Sequence, residues 1–205
     1  KIIMLNVGLT GGIACGKSLI GQCMSESGIA VLEADTVGHG LLERHDIYEK
    51  VVSCFGPEIV GANRKIDRKL LGRIVFSQHD SLLKLNAVLH PEIRLSWHQW
   101  LKRVETEGKS AATVIVPLLY ETGYDEEWDY VVCVSAKKSL QIERLKTKGL
   151  DGDEIERRLA AQMSLEEKMI KADFVIVNNW QKDMAILQTK CVLKSIMGDA
   201  YGNEK

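Results

Sequence analysis

Eight consecutive residues near the start of the chain, Gly11-Gly12-Ile13-Ala14-Cys15-Gly16-Lys17-Ser18, restrict its possible folds more than any other feature. They fit the pattern G-x-x-x-x-G-K-[S/T], which has a physical meaning only between a buried strand and a helix. Successive backbone N–H groups must turn toward one point, which requires glycines where a Cβ would block the turn or the approaching oxygens. The helix that follows aims its partial positive charge at the same point. Lys17 adds a full charge for the β- and γ-phosphates of a nucleoside triphosphate, and Ser18 offers a hydroxyl to magnesium.

The flanks supply that context. Met4 to Leu9 is an apolar run that reads as a buried strand, and Leu19, Ile20, Cys23 and Met24 follow a helical spacing that ends near Gly28. A second strand is expected over Ile29 to Leu32, a third over Ala112 to Val116, a fourth over Tyr130 to Val134 and a fifth over Phe174 to Val177. Near-continuous β-branched runs of this kind suit a parallel sheet covered on both faces. The expected fold class is therefore α/β, with five parallel strands flanked by helices. Between the second and third strands, Ile47 to Phe55, Arg68 to Phe76, Ser81 to Leu89 and Pro91 to Val104 all read as helices, with Asp67 as an N-cap and Pro91 in a first turn. This all-helical stretch, about residues 37–108, suggests an inserted acceptor-binding region. Charged helices over Lys138 to Lys148 and Asp153 to Met163 suggest a mobile lid, about residues 138–165. Asp183 to Met197 closes the chain, with a frayed tail expected beyond it. The whole is read as one domain of 205 residues.

Composition removes several classes. A net charge of -1 disfavours a general nucleic-acid binder, and no apolar run approaches the ~20 residues of a membrane span. A cytoplasmic protein is expected. Five scattered cysteines without a C-x-x-C pair indicate neither disulfides nor a zinc site. Most read as buried thiols, whereas Cys15, inside the glycine loop, is expected to be partly exposed.

Among proteins with such a loop, a GTPase is disfavoured. Asp35-Thr36-Val37-Gly38 comes too soon after Lys17, and Thr147 to Asp151 (TKGLD) is one residue too long for N-K-x-D. In motor-type ATPases an acidic residue ends the third strand, but here the strand runs into Pro117. The remaining carboxylate is Asp35, at the tip of the second strand, where open α/β sheets bind ligands. A kinase acting on an alcohol needs such a group to orient the hydroxyl and take its proton. The residues alone leave Asp35 two compatible roles, base and helix N-cap. The cations Arg144, Lys146, Lys148, Arg157 and Arg158 fit either a lid over ATP or a solvated helical face.

The stretches GLTGGIACGKS, EAD (Glu33 to Asp35), KIDRKLLGRIVF, LHPEIR, VPLLYETG, RLAAQMSLEEK and ADFVIVN, in that order, resemble dephospho-CoA kinases from Val7 to Asn178. The resemblance implies ATP-dependent phosphorylation of the ribose 3′-hydroxyl of dephospho-CoA with Mg2+, and Asp35, Lys17 and Arg144 as catalytic groups. It places Gly11, Gly12, Ile13, Ala14, Cys15, Gly16, Lys17, Ser18, Leu19, Arg158 and Asn178 around ATP, with Asn178 toward the adenine and Ser18 at the metal. His90, Arg94, Pro117, Leu118, Leu119 and Glu121 would form the acceptor site with Asp35. Read by themselves, His90 fits a partly buried structural histidine, Arg94 either a bidentate grip on a substrate phosphate or an exposed charge, and Glu121 either a lid or acceptor contact or a surface charge. Three departures stand out: Glu33 in place of the family's usual aspartate, Lys148 in place of a lid arginine, and Ala14-Cys15 in place of Gly-Ser. The last is expected to change packing more than phosphate contact. A kinase for another small nucleotide or alcohol, and a nucleotide-dependent binding or regulatory module without turnover, are the competing readings.

Overall fold

The computed structural model describes residues 4–77 and 79–198; the tail beyond 198, expected to fray, lies outside them. Strand β1 (Leu5–Gly11) leads through the glycine loop into α1 (Lys17–Glu26), and β2 (Ala30–Glu33) runs directly into α2 (Ala34–Leu41). After α3 (His45–Phe55), a 3-10 turn and α4 (Arg68–Ser77), the long α5 (His79–Thr106) returns the chain to β3 (Ala111–Ile115). Then follow β4 (Tyr130–Ser135), α6 (Lys138–Thr147), α7 (Gly152–Ala160), α8 (Leu165–Lys171), β5 (Phe174–Val177) and α9 (Lys182–Met197).

The five strands are all parallel, in the order β2-β3-β1-β4-β5. β1 therefore lies at the centre, where chain order switches sides, and its loop opens at the crevice between the two halves of the sheet. Register aligns the strand tips: Glu33 pairs with Ile115, Leu9 with Ile115, Gly11 with Val134, and Ser135 with Val177. One row of carboxyl ends thus carries the glycine loop, Asp35, Pro117 and Asn178, residues separated by up to 167 positions in sequence only because the sheet brings them together.

Two cores cover the sheet. Val7, Leu9, Ile20, Met24, Val132, Val134 and Ile176 pack with α1 and α9 on one face. On the other, Trp97 and Leu101 of α5 meet Val114, Leu119 and Trp128. A third, separate core (Leu41, Ile47, Val51, Ile59, Leu71, Val75) holds α2 to α4 against α5, so the region between β2 and β3 has its own apolar interior.

The structure corrects three local expectations. Residues 79–106 form one continuous helix with Pro91 inside it, not two helices with Pro91 in a first turn. Proline removes one helical N–H and leaves the carbonyl four residues earlier, that of Ala87, without its donor. Packing against α2, α3, α4 and β3 carries the helix through that defect. Asp35 is not an N-cap: Glu33 holds that position and Asp35 lies in the first turn of α2. The segment expected to end at Met163 stops at Ala160, and α8 follows as a separate helix behind a reciprocal capping box of Ser164 and Glu167. Asp67 does cap α4, its carboxylate accepting from the N–H groups of Lys69 and Leu70 at 2.9 and 3.0 Å.

Candidate functional site

The glycine loop is held by contacts that dictate its composition. Gly11 has φ 141°, and a Cβ there would stand 2.1 Å from the Val134 carbonyl oxygen of β4. Gly16 has φ 101°, and its Cβ would meet the Asn178 amide nitrogen at 2.3 Å. That same amide donates to the Cys15 carbonyl at 2.8 Å, so Asn178, at the tip of β5, pins the loop from the side. Arg144 of α6 clamps it from above, donating to the carbonyls of Ala14 at 3.0 Å and Asn178 at 3.1 Å.

Cys15 corrects an expectation: its side chain is wholly buried in the first core, and burial pushes its thiol pKa up. It is a packing residue rather than a reactive one. Cys23 and Cys133 are likewise buried, and Cys54 and Cys191 are exposed. Ala14 carries a backbone effect besides any change in packing. It adopts φ 56°, a left-handed conformation that costs a residue with a Cβ about 1–2 kcal/mol. The change from glycine is felt by the backbone.

Lys17 bends over its own loop, donating to the carbonyls of Gly11 and Gly12 at 3.0 and 2.9 Å. Burial lowers its pKa, which the Lys168 charge reinforces and the Asp35 charge partly opposes. Burial likewise raises the pKa of Asp35, which the Lys17 and His39 charges partly offset and Glu33 slightly reinforces. An acid and a cation thus line one crevice, each shifted toward neutrality by the surrounding protein and each restrained by the other's charge, with Asp35 still open to the solvent of the cavity. Glu33 accepts from the Thr36 hydroxyl at 3.3 Å at the start of α2.

A single cavity of about 970 Å3 joins these groups. Ile13, Ala14, Gly16, Lys17, Ser18 and Leu19 line it from the loop, Asp35 from α2, His90 from α5, and Pro117 and Leu118 from the tip of β3. Arg144, Lys148 and Arg158 line it from the helices after β4, and Asn178 from the tip of β5. Its size lies at the upper end of small-molecule sites, roughly 300–1,000 Å3, which suits two substrates meeting end to end. The wall facing the loop is apolar: Leu42 comes from the end of α2, Leu71 and Val75 from α4, and Leu85, Leu89 and Ile93 from α5. Arg158 lies 4.5 Å from the Phe76 ring and is held by Glu154, so α7 touches α4 across the mouth.

Other residues named from sequence stand off this cavity. Gly11, Gly12 and Cys15 form the loop's inner layer behind its lining atoms. Leu119 is fully buried in the second core, where its methyl would lie 2.8 Å from a Cβ on Gly8. Arg94 ion-pairs with Glu127 at 2.5 Å beside the Tyr124 ring. Glu121 pairs with Lys168 at 2.8 Å and accepts from the Met163 N–H, tying the segment before α8 to the loop after β3. His90 does face the cavity, with its pKa lowered by burial.

Sequence reasoning missed Lys168. Its side chain is completely buried, and besides Glu121 it binds the Pro117 carbonyl at 2.8 Å. Within LEEKMIK it reads as one charge on a charged face, and nothing local marks it as interior. His39 was also missed, although its place four residues after Asp35 on one helix puts both on the same face.

No group of three or more His, Cys, Asp or Glu side chains suited to a metal occurs among the described residues. The donor set that fits a magnesium ion is the Ser18 hydroxyl, exposed at the second residue of α1 and on the cavity wall. Magnesium that arrives on a nucleotide needs few protein ligands.

Comparison with known proteins gives a concordant result. The family model described as dephospho-CoA kinase matches residues 5–183. A dephospho-CoA kinase of Symbiobacterium thermophilum is 38% identical over 198 residues, covering 96% of this chain and 83% of the relative. Among solved structures, one from Thermus thermophilus superposes with a TM-score of 0.79 at 30% identity, covering 97% of this chain and 99% of that one. Dephospho-CoA kinase from Campylobacter jejuni superposes with a TM-score of 0.68 at 30% identity, covering 95% and 98%.

Proposed function

The chain belongs to the dephospho-CoA kinase family, and from that premise we propose how its residues carry the γ-phosphoryl group of ATP to the ribose 3′-hydroxyl of dephospho-CoA. The observation that supports this most is the meeting of Asp35, Lys17 and Ser18 on one cavity at the centre of the sheet.

ATP lies with its phosphates on the loop N–H groups from Gly12 to Ser18 and on the N-terminus of α1. Lys17 exchanges its two loop carbonyls for the β- and γ-phosphate oxygens. The Ser18 hydroxyl would be the protein's ligand for a Mg2+ arriving with ATP, an ion that would supply charge at the same oxygens. The acceptor lies along the apolar wall from residues 37–108, with His90, Pro117 and Leu118 at its reactive end. Asp35 orients the 3′-hydroxyl and accepts its proton as the oxygen–phosphorus bond forms and the bond to the ADP oxygen breaks. The raised pKa of Asp35 makes it a stronger base than an ordinary carboxylate.

Arg144 and Arg158 meet the charge that spreads over the transferring group. Residues 138–165 serve as the lid, with α7 closing against Phe76. Leu119, Glu121 and Arg94 act from behind the wall: Leu119 fills the core beneath β1, Glu121 ties the loop after β3 to Lys168, and Arg94 fixes Glu127.

Incubation with ATP, Mg2+ and dephospho-CoA should give CoA and ADP in equal amounts. Failure to form CoA at any enzyme concentration, with turnover of nucleoside monophosphates, shikimate or gluconate instead, would overturn the acceptor assignment.

A further inference from the structure

We infer that Trp180 is a stacking platform for the base of the donor nucleotide, so that this chain holds its donor through the flat face of the base. The inference rests on the reading of ATP as donor. The four tryptophans of the chain divide sharply. Trp97 and Trp128 are buried, 5.9 Å apart, and Trp100 packs against the same core. Trp180 is 62% exposed, and no ring stacks on it among the described residues, yet it lines the cavity. A large aromatic side chain left open to water beside a nucleotide-sized space is poised to gain by covering.

The sheet order fixes which part of the nucleotide it meets. Asp35 follows β2 and Trp180 follows β5, the two opposite edges, with the phosphate loop on central β1. A triphosphate on that loop with its terminal phosphorus toward Asp35 must point its nucleoside toward β5. Two strand spacings separate β1 from β5, about 10 Å, which is the reach from the inner phosphates past the ribose to a base.

The backbone that carries the ring is also anchored. Asn178 is fixed through its side chain to Cys15, and Asn179 accepts from the Lys137 N–H at 2.6 Å. Gln188 of α9 binds both the N–H and the carbonyl of Val177, at 3.0 and 2.9 Å. α9 begins only two residues after Trp180. A ring whose backbone is anchored on both sides loses little freedom when a base covers it. Stacking reads a face common to all bases, so ATP and GTP should depend on it alike.

The test is equilibrium binding without acceptor, by calorimetry and intrinsic fluorescence, for the intact protein, Trp180→Phe and Trp180→Ala. The ligands are ATP, GTP and inorganic tripolyphosphate, each with Mg2+. Trp180→Ala should weaken ATP and GTP by about ten-fold or more and leave tripolyphosphate unchanged, with Trp180→Phe between. ATP should quench the fluorescence of the intact protein, and this quench should vanish in Trp180→Ala. Unchanged ATP affinity in Trp180→Ala, equal weakening of tripolyphosphate, or an effect confined to ATP would each overturn the inference. Because no acceptor is present, these outcomes stand apart from any failure to make CoA.

Discussion

The two ends of the cavity are built in opposite ways. At the donor end, nearly every contact is a hydrogen bond to backbone, made by a few residues with fixed partners: Asn178 to Cys15, Arg144 to Ala14, Lys17 to Gly11 and Gly12. At the acceptor end, the wall is apolar side chains from α2, α4 and α5, resting on a core that the sheet does not share. A phosphate presents the same oxygens in every nucleotide, so one rigid cradle suffices. An acceptor with a long uncharged arm is recognised by area, which many residues can supply in many combinations. Loss of one donor-end contact should therefore be severe, and loss of one acceptor-wall residue should be mild.

Asp35 sits where the two ends meet, and its change should have the largest effect. Asp35→Asn should lower kcat by between about 100- and 10,000-fold, with the ATP dissociation constant little altered. The pH dependence is a further check. The folded pKa of Asp35 lies above the ordinary value of 3.8, so the folded state binds this proton more tightly than the unfolded chain. Ionisation at neutral pH therefore destabilises the fold, and that penalty fades as pH falls toward and below 3.8. Asp35 is open to the cavity, so solvent screens this penalty: Asp35→Asn should melt only slightly higher than the parent at pH 7, and the gap should close in acid. In the parent, kcat/KM should fall as pH drops through the raised pKa. A variant that melts no higher at pH 7 would mean that water screens the carboxylate fully at its exposed place on the cavity.

Gly16→Ala tests the donor end alone. The new methyl would occupy a positive φ and push Asn178 off Cys15, for a combined cost of roughly 2–4 kcal/mol. Thermal melting and ATP titration should both register it, with the acceptor KM affected far less. An ATP affinity equal to the parent's would show that the cradle tolerates backbone change.

How much of this was legible before any coordinates follows the same division. Gly11 to Ser18, Asp35 and the five strands are local signals: a motif, a strand tip and β-branched runs each declare themselves within ten residues. The acceptor wall was visible only as an all-helical stretch, because residues such as Leu42, Val75 and Leu89 read as ordinary core positions until tertiary packing decides which of them face a cavity. Pro91 misled for a related reason. Local chemistry stops a helix at proline, whereas contacts with three other helices and a strand continue it. Lys168 was illegible because burial of a lysine depends on Glu121 and Pro117, about fifty residues away.

Phe76→Ala tests the acceptor end where it meets the lid. It removes the ring that Arg158 faces at 4.5 Å, an interaction worth about 0.5–1 kcal/mol at an accessible site. Steady-state kinetics should show the acceptor KM rising roughly two- to five-fold, the conversion of that energy, with ATP binding nearly unchanged. A ten-fold loss, or a loss in ATP binding instead, would mean that the wall is as specific as the cradle and that the contrast between the two ends is false.

The smallest effect is the most discriminating, since it asks whether the rigid end carries strain. Ala14 holds φ 56° at a place where the residues on both sides are fixed, with its carbonyl bound by Arg144. Ala14→Gly relieves that conformation and should stabilise the protein by about 0.5–1 kcal/mol net of the glycine's extra freedom in the unfolded chain. For a chain of this length, that is a rise in Tm of roughly 2 °C. Because the N–H donors stay in place, kcat should be unchanged. If Arg144 is what holds Ala14 in its strained state, the gain should be smaller in an Arg144→Ala background, where the loop relaxes without help. Equal gains in both backgrounds would instead assign the left-handed turn to Asn178 and the strand β4 contact, leaving the lid arginine free to act on the nucleotide alone.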